Sequence, residues 1–218
     1  MSQTLFSRRS LLRAGLLAMA SRGVVALRAQ QPARKPDVFF APTPQDVVEA
    51  MLRAVSVTSK DVIYDLGSGD GRIPITAARV YGARGVGIDI DPALVQEATR
   101  NARSAGVSDK VRFLAQDLFT TDISPATVVS LYLTPFLNFK LLPKLNRELK
   151  PGTRVVSHQW EMMDPSDKYE YKPDQKLIVG NSFIYVWTVP IVRKGALTKV
   201  RGVEGARMLE GPGAVRGI

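Results

Sequence analysis

From residue 43 onward, short apolar runs alternate with stretches in which apolar residues recur at helical spacing. Val47, Val48, Met51, Leu52 and Val55 mark one face of a helix that opens at Thr43-Pro44-Gln45-Asp46. Thr43 reads as its N-cap and Pro44 as its first helical residue. Asp61 to Leu66 is a short strand, followed by a glycine-rich turn and a helix from Arg72 to Tyr81. Arg84 to Ile90 is a second strand. Asp91 then caps a helix from Pro92 that carries Leu94, Val95, Ala98, Ala102 and Ala105 on one face. Lys110 to Ala115 and Ala126 to Leu133 read as strands three and four. Leu137, Leu141, Leu142, Leu145 and Leu149 mark a helix stopped by Pro151-Gly152, and Thr153 to His158 is strand five.

Strands that alternate with helices imply parallel pairing in a sheet covered by helices on both faces. The end of the pattern differs. Lys176 to Val179 and Ser182 to Val189 flank Gly180-Asn181, the signal of a tight antiparallel hairpin. The expectation is therefore an α/β, Rossmann-like sheet of seven strands, mostly parallel, with a C-terminal antiparallel hairpin.

Composition narrows the chemistry. The 218 residues include no cysteine and one histidine, His158, so disulfides, thiolate nucleophiles and histidine-rich metal sites are excluded. The net charge of +10 sits mainly in the two ends. Residues 1–29 hold five arginines and no acid, and residues 191–218 hold six bases and two acids. The remaining 161 residues carry 19 bases and 18 acids, so the basic footprint expected of a folded nucleic-acid-binding domain is missing, and no DNA partner is expected.

Arg8-Arg9, the apolar stretch Leu16-Leu17-Ala18-Met19-Ala20 and small residues beyond it follow the order of a twin-arginine export signal. Residues 1–35 are read as this leader, 36–190 as the folded domain, and 191–218, with six glycines, as a mobile tail. The expected location is outside the cytoplasm or at a membrane; a plain basic extension on a cytoplasmic protein is the alternative.

Strand one runs into Asp65-Leu66-Gly67-Ser68-Gly69-Asp70-Gly71. Dinucleotide loops read G-x-G-x-x-G and meet a pyrophosphate. Here the third glycine comes one residue early and Asp70 lies within the loop, where a carboxylate would repel a pyrophosphate. The loop instead suits a ligand with a sulfonium and an amino group, S-adenosylmethionine. Asp89-Ile90 ends strand two, 24 residues after Asp65, where a carboxylate can accept from ribose hydroxyls. Asp117-Leu118 follows strand three, where an acid can accept from an adenine amino group. Ligands of such sheets lie beyond the carboxyl ends of the strands.

These motifs, with Phe39-Phe40-Ala41-Pro42-Thr43-Pro44 ahead of them and Gln116-Asp117-Leu118-Phe119 behind, resemble bacterial relatives of the small mitochondrial lysine methyltransferases. Those enzymes modify the ATP synthase c subunit and the adenine nucleotide translocase. The resemblance covers roughly residues 37–190 and implies a class I methyltransferase fold. It implies cofactor contacts at Asp65, Gly67, Gly69, Asp89 and Asp117, with Ser68 and Asp70 in the same loop, and a Phe40–Thr43 segment lying over the cofactor. It also implies a protein substrate with an accessible lysine. The segment His158-Gln159-Trp160-Glu161-Met162-Met163-Asp164-Pro165 departs from the relatives' pattern.

Strand four ends in Leu131-Tyr132-Leu133-Thr134-Pro135-Phe136, without the Asn/Asp-Pro-Pro-aromatic motif that holds a planar nitrogen. That argues against adenine or glutamine amides as acceptors. Tyr132 and Thr134, with Phe40 and Trp160, are candidate walls for a lysine side chain, and His158 is a candidate proton relay. A small-molecule or RNA acceptor on the same fold, and a non-catalytic cofactor-binding partner protein, are the rival readings.

Overall fold

A computed structural model describes residue 35, residues 39–166 and residues 171–193. The leader before Lys35, most of the tail and the segments between lie outside the described residues. Helices α1 (Gln45–Ala54), α2 (Arg72–Tyr81), α3 (Pro92–Ser104) and α4 (Pro135–Glu148) are interleaved with strands β1 (Val62–Leu66), β2 (Arg84–Asp89), β3 (Val111–Ala115), β4 (Val128–Leu131), β5 (Arg154–His158), β6 (Gln175–Val179) and β7 (Ser182–Thr188).

Among the described residues the strands form one sheet in the order β3-β2-β1-β4-β5-β7-β6. Pairing is parallel from β3 through β5 and antiparallel for β5–β7 and β6–β7. Side chains alternate across the sheet. Ile63, Val128, Val156 and Ile184 face α1 and α2, packing on Val47, Val48, Met51 and Leu52 of α1. Tyr64, Leu66, Val129, Leu131, Val155 and Trp187 face the other way, onto Leu137, Leu141, Leu142 and Leu145 of α4. α3 completes the first face through Ala102, which clusters with Ile75, Ala78 and Val111.

The chain order reverses direction between β1 and β4. Crossovers leaving β1 go one way to β2 and β3, and those leaving β4 go the other way to β5. At such a point the loops after the strands part and leave a crevice. Helix α2 packs close against β2 because Gly85 leaves room for Pro74, whose Cβ would lie 2.6 Å from a Cβ at residue 85.

Two local expectations are corrected. Thr43 is not the cap of α1: Pro44 holds that position and no side chain caps the helix, while the Thr43 side chain turns inward and is 4% exposed. β4 is shorter than residues 126–133, because Tyr132 and Leu133 leave the ladder to become cavity wall. α4 begins at Pro135 and carries Pro143 in its interior. A proline there lacks one helical N–H, and the fully buried Leu141 and Leu145 on either side keep the helix packed.

Candidate functional site: a crevice across four strand ends

A cavity of about 420 Å³ opens over the carboxyl ends of β3, β2, β1 and β4. Asp117 and Leu118 line it at the β3 end, Asp89 and Ile90 at β2, Asp65, Gly67, Ser68 and Asp70 at β1, and Tyr132 and Leu133 at β4. Phe39 to Thr43, Leu137, Arg72 and Ile73, with Asp91 and Leu94 from the start of α3, also line it. Gly69 is not part of the lining, but it decides how close the wall can come. A Cβ there would lie 2.1 Å from the Phe40 ring, and its φ of +52° belongs to the left-handed region that glycine occupies freely. The absence of a side chain at 69 is what lets Phe40 sit down on the loop.

The loop is fixed by the strand beside it. Gly67 N and Ser68 N both donate to Ile88 O, at 2.8 and 3.0 Å. Gly69 N donates to Asp89 Oδ2 at 2.8 Å, and Asp91 N donates to Asp89 Oδ1 at 3.0 Å. Asp89 thus orders the turn as well as facing the cavity. Each of its oxygens keeps a further lone pair, so the carboxylate is oriented and still able to accept from a diol. Asp91 caps α3 by accepting from Ala93 N at 2.8 Å, as its sequence position implied. Asp117 turns its own loop, accepting from Phe119 N at 2.8 Å.

Asp70 differs from the sequence expectation. Arg72 clasps it through Nε at 3.0 Å and Nη2 at 2.6 Å, so its charge is largely countered by a neighbour two residues away. The Asp70 hydrogen bond in turn raises the Arg72 guanidinium above its ordinary value. The other arm of Arg72, Nη1, donates to Thr43 O at 2.7 Å and ties the roof segment to the glycine loop. Arg72 is a site residue that the sequence patterns did not single out; an acid–base pair at that spacing beside a glycine turn was the signal for it.

Asp65 is the buried carboxyl at the centre of the wall. It is 3% exposed, and burial pushes its carboxyl up to about 7. Ser130 opposes this by donating to Oδ1 at 2.7 Å, while Asp89 and Asp70 push it further up. A cationic group brought against Asp65 would restore the ionised form. Ser68 Oγ is buried on the cavity wall with no hydrogen-bond partner among the described residues. An orphaned hydroxyl in a dry wall is costly unless a ligand completes it.

The catalytic candidates separate. Tyr132 lines the cavity. Thr134 does not; its hydroxyl accepts from Leu137 N at 3.4 Å as the cap of α4. His158 is 3% exposed and lies behind the wall, its imidazole lowered by burial to about 4. Trp160 is exposed after β5 and is not part of the lining. Leu133 and Leu137 line the cavity and were read from sequence only as strand-end and helix residues; Pro42, in the segment expected over the cofactor, lines it too. Lys35, at the end of the segment read as leader, lines it as well.

A long crevice with a shielded carboxyl at β1, an oriented acid at β2 and an apolar residue beside an acid at β3 matches an aminoacyl–ribose–purine ligand in that order. The comparisons with known proteins agree. Residues 65–168 match the family described as the ANTKMT methyltransferase domain. A protein-lysine N-methyltransferase of Saccharolobus islandicus is 41% identical over 152 residues, covering 69% of this chain and 94% of that protein. The chain belongs to this methyltransferase family.

A crystal structure described as an RNA methyltransferase from Salinibacter ruber, in complex with S-adenosyl-L-homocysteine, is 53% identical with a TM-score of 0.65, covering 69% of this chain and 94% of that one. The adenine nucleotide translocase lysine N-methyltransferase of Mus musculus is 39% identical over 142 residues, and the match covers 65% of this chain but 58% of that protein. The chain is thus an S-adenosylmethionine-dependent methyltransferase. Its residues fit that cofactor: Asp65 and Ser68 would hold the aminoacyl end, Asp89 the ribose, and Asp117 with Leu118 the adenine. When bound, the cofactor supplies an electrophilic methyl group. The protein's part would be to hold it and to exclude water with the Phe39–Thr43 roof.

Proposed function

We propose that this methyltransferase modifies the side-chain nitrogen of lysine in a protein substrate. The observation that carries the reading is the wall at the β4 end, farthest from the adenine end. Among the described residues it consists of Tyr132, Leu133 and Leu137, apolar and aromatic, with no side-chain amide to clamp a planar nitrogen. Such a wall suits an aliphatic amine arm. At pH 7 a lysine is cationic, and neutralising it costs about 4.6 kcal/mol from its solution pKa of about 10.4. A partly desolvated slot reduces that cost by disfavouring the ammonium. The similarity to the archaeal protein-lysine enzyme supports the same acceptor.

A second reading, RNA, is favoured by the description of the Salinibacter relative. The near balance of acids and bases in residues 30–190 weighs against it. Radiolabelled methyl transfer into fractionated lysate and membranes, followed by nuclease or protease digestion, separates the two. Label released by protease and located on lysine by mass spectrometry supports the proposal; label released by nuclease overturns it.

We also propose that Arg8-Arg9 directs the protein out of the cytoplasm or to a membrane. A folded reporter fused to the leader should be exported, and Arg8→Lys with Arg9→Lys should retain it. Cytoplasmic retention of both fusions would leave the cytoplasmic alternative.

A further inference from the structure

His158 is the one histidine of the chain, and its surroundings are unusual for a residue outside the cavity wall. Its Nδ1 lies 3.2 Å from Thr43 Oγ1 in a buried hydrogen bond spanning 115 residues of sequence. Its ring lies against Tyr132, with centroids 4.0 Å apart and planes tilted by 40°. Both partners line the cavity although His158 does not. They come from two different segments: Thr43 from the roof ahead of α1, Tyr132 from the end of β4. Thr43 is also the residue whose carbonyl Arg72 holds. The roof is therefore tied down twice at one residue, once to the glycine loop and once to β5.

The backbone around His158 is held more firmly than a strand end requires. Trp160 N donates to His158 O at 2.8 Å across Gln159, whose φ is +68°. That is a tight turn of the strained kind, rare outside sites that need it. Four bonds keep it in place. Gln159 N donates to Phe183 O at 2.6 Å, and the Gln159 side chain accepts from Phe183 N at 3.3 Å. Asn138 Nδ2 and Ser157 Oγ both donate to Trp160 O, at 3.1 and 2.7 Å. Strain held this way fixes where β5 ends and hence where the imidazole stands. As a proton relay the imidazole is badly placed: it is walled off from the cavity, and burial leaves it a weak base.

We infer that His158 is a positioning residue, which locks the Phe39–Thr43 roof and the Tyr132 wall to each other and thereby slows release of the bound nucleoside. The inference rests on the assignment of the cavity to S-adenosylmethionine and its product. It does not depend on lysine as the acceptor.

The test uses the full chain and S-adenosylhomocysteine, with release measured by rapid mixing. Thr43→Val removes the hydroxyl at nearly constant volume. His158→Phe keeps a ring against Tyr132 and loses the bond. Each should speed release about 3- to 10-fold, the range for one buried neutral hydrogen bond. The double variant should release no faster than the faster single, because both remove the same tie. Thr43→Ser and His158→Gln, which retain a bonding group, should return release to within about twofold of the parent. The imidazole resonance, unambiguous in a chain with one histidine, should shift when S-adenosylhomocysteine binds and should not shift in Thr43→Val. Unchanged release in Thr43→Val, additive effects in the double variant, or no rescue by serine would each overturn the inference. If His158→Phe does not fold, the Thr43→Val and Thr43→Ser pair decides alone. A parent protein that does not bind S-adenosylhomocysteine would instead overturn the cofactor assignment.

Discussion

The two halves of the crevice are built in different ways. The half over β1, β2 and β3 is held mostly by bonds within residues 65–91. Asp89 reaches Gly69 across 20 residues and Asp91 across two, and Arg72 reaches Asp70 across two. The half over β4 is backed by a contact between distant segments, Thr43 of the roof with His158 of β5 across 115 residues. The first half is a glycine turn held against the end of the neighbouring strand β2. The second exists only once the sheet and α4 have formed. Cofactor recognition should therefore fail sharply when one residue of the glycine turn changes. The acceptor side should fail gradually, with changes shared among several elements.

The largest effect is expected at Gly69. Valine there would place Cβ 2.1 Å from the Phe40 ring and force a branched side chain to φ +52°. The left-handed conformation alone costs about 1–2 kcal/mol for an L-residue, and the roof must lift to relieve the clash. Gly69→Val should weaken S-adenosylhomocysteine binding by about 100-fold or more in calorimetric titration. A change below about tenfold would show that the turn is not the rigid half.

Asp89→Ala comes next. Charge-assisted bonds of about 1.5–3 kcal/mol correspond to a roughly 10- to 150-fold loss of affinity. Because Asp89 also receives Gly69 N and Asp91 N, the loop should loosen, and hydrogen exchange at both amides should quicken. Asp91→Ala is the control. Loss of the α3 cap should cost about 1 kcal/mol of stability and, although Asp91 also lines the cavity, much less affinity than loss of Asp89. If Asp91→Ala weakened binding more than Asp89→Ala, the roles of the two carboxylates would be reversed.

A pH series sharpens the same half. In the ligand-free protein burial raises Asp65 to about 7 from its ordinary value of 3.8. The folded state then holds a proton that the unfolded chain has already lost. The stability from this group is fully present below pH 3.8 and is lost as pH rises to about 7. A ligand ammonium against Asp65 favours the carboxylate, so below pH 7 binding must also expel a proton. Affinity for S-adenosylhomocysteine should rise with pH up to about 7, by at most tenfold per unit, and level off above. Asp65→Asn should bind more weakly and lose that slope. An affinity independent of pH between 5.5 and 7.5 in the parent would contradict this placement of Asp65.

What was legible in the sequence follows the same division. Strand and helix patterns gave nearly every element, because the central strands are short apolar runs buried on both faces and α1 buries one stripe. The glycine turn and its flanking acids were legible because the residues that build it lie close together along the chain. Thr43 was misread because Thr-Pro ahead of a helical pattern is a common cap signal, and nothing local reveals a histidine 115 residues away. Asp70 was read as a free charge because its pairing with Arg72 depends on how the turn folds back. The acceptor wall at Leu133 and Leu137 looked like ordinary core, since an apolar side chain lining a crevice has the same local pattern as one packed inside.

Thr134 gives the smallest expected effect and the cleanest check on the second half. Its position after β4 made it a candidate wall for the acceptor, but its hydroxyl is directed at Leu137 N and the residue does not line the cavity. The bond is long, 3.4 Å, so the cap should contribute toward the lower end of the usual range. Thr134→Ala should then cost about 0.5–1 kcal/mol of stability, or a fall in melting temperature of about 1–4 °C for a domain of this size. Cofactor affinity and methyl transfer should both stay within about twofold of the parent, because α4 is anchored by Leu141 and Leu145 well beyond its first turn. Thr134→Ser should recover the lost stability by restoring the hydroxyl. A variant that melts like the parent but transfers methyl groups at a tenth of its rate would return Thr134 to the acceptor wall. The wall would then extend past Tyr132 into the first turn of α4, and the acceptor side would hold a local determinant after all.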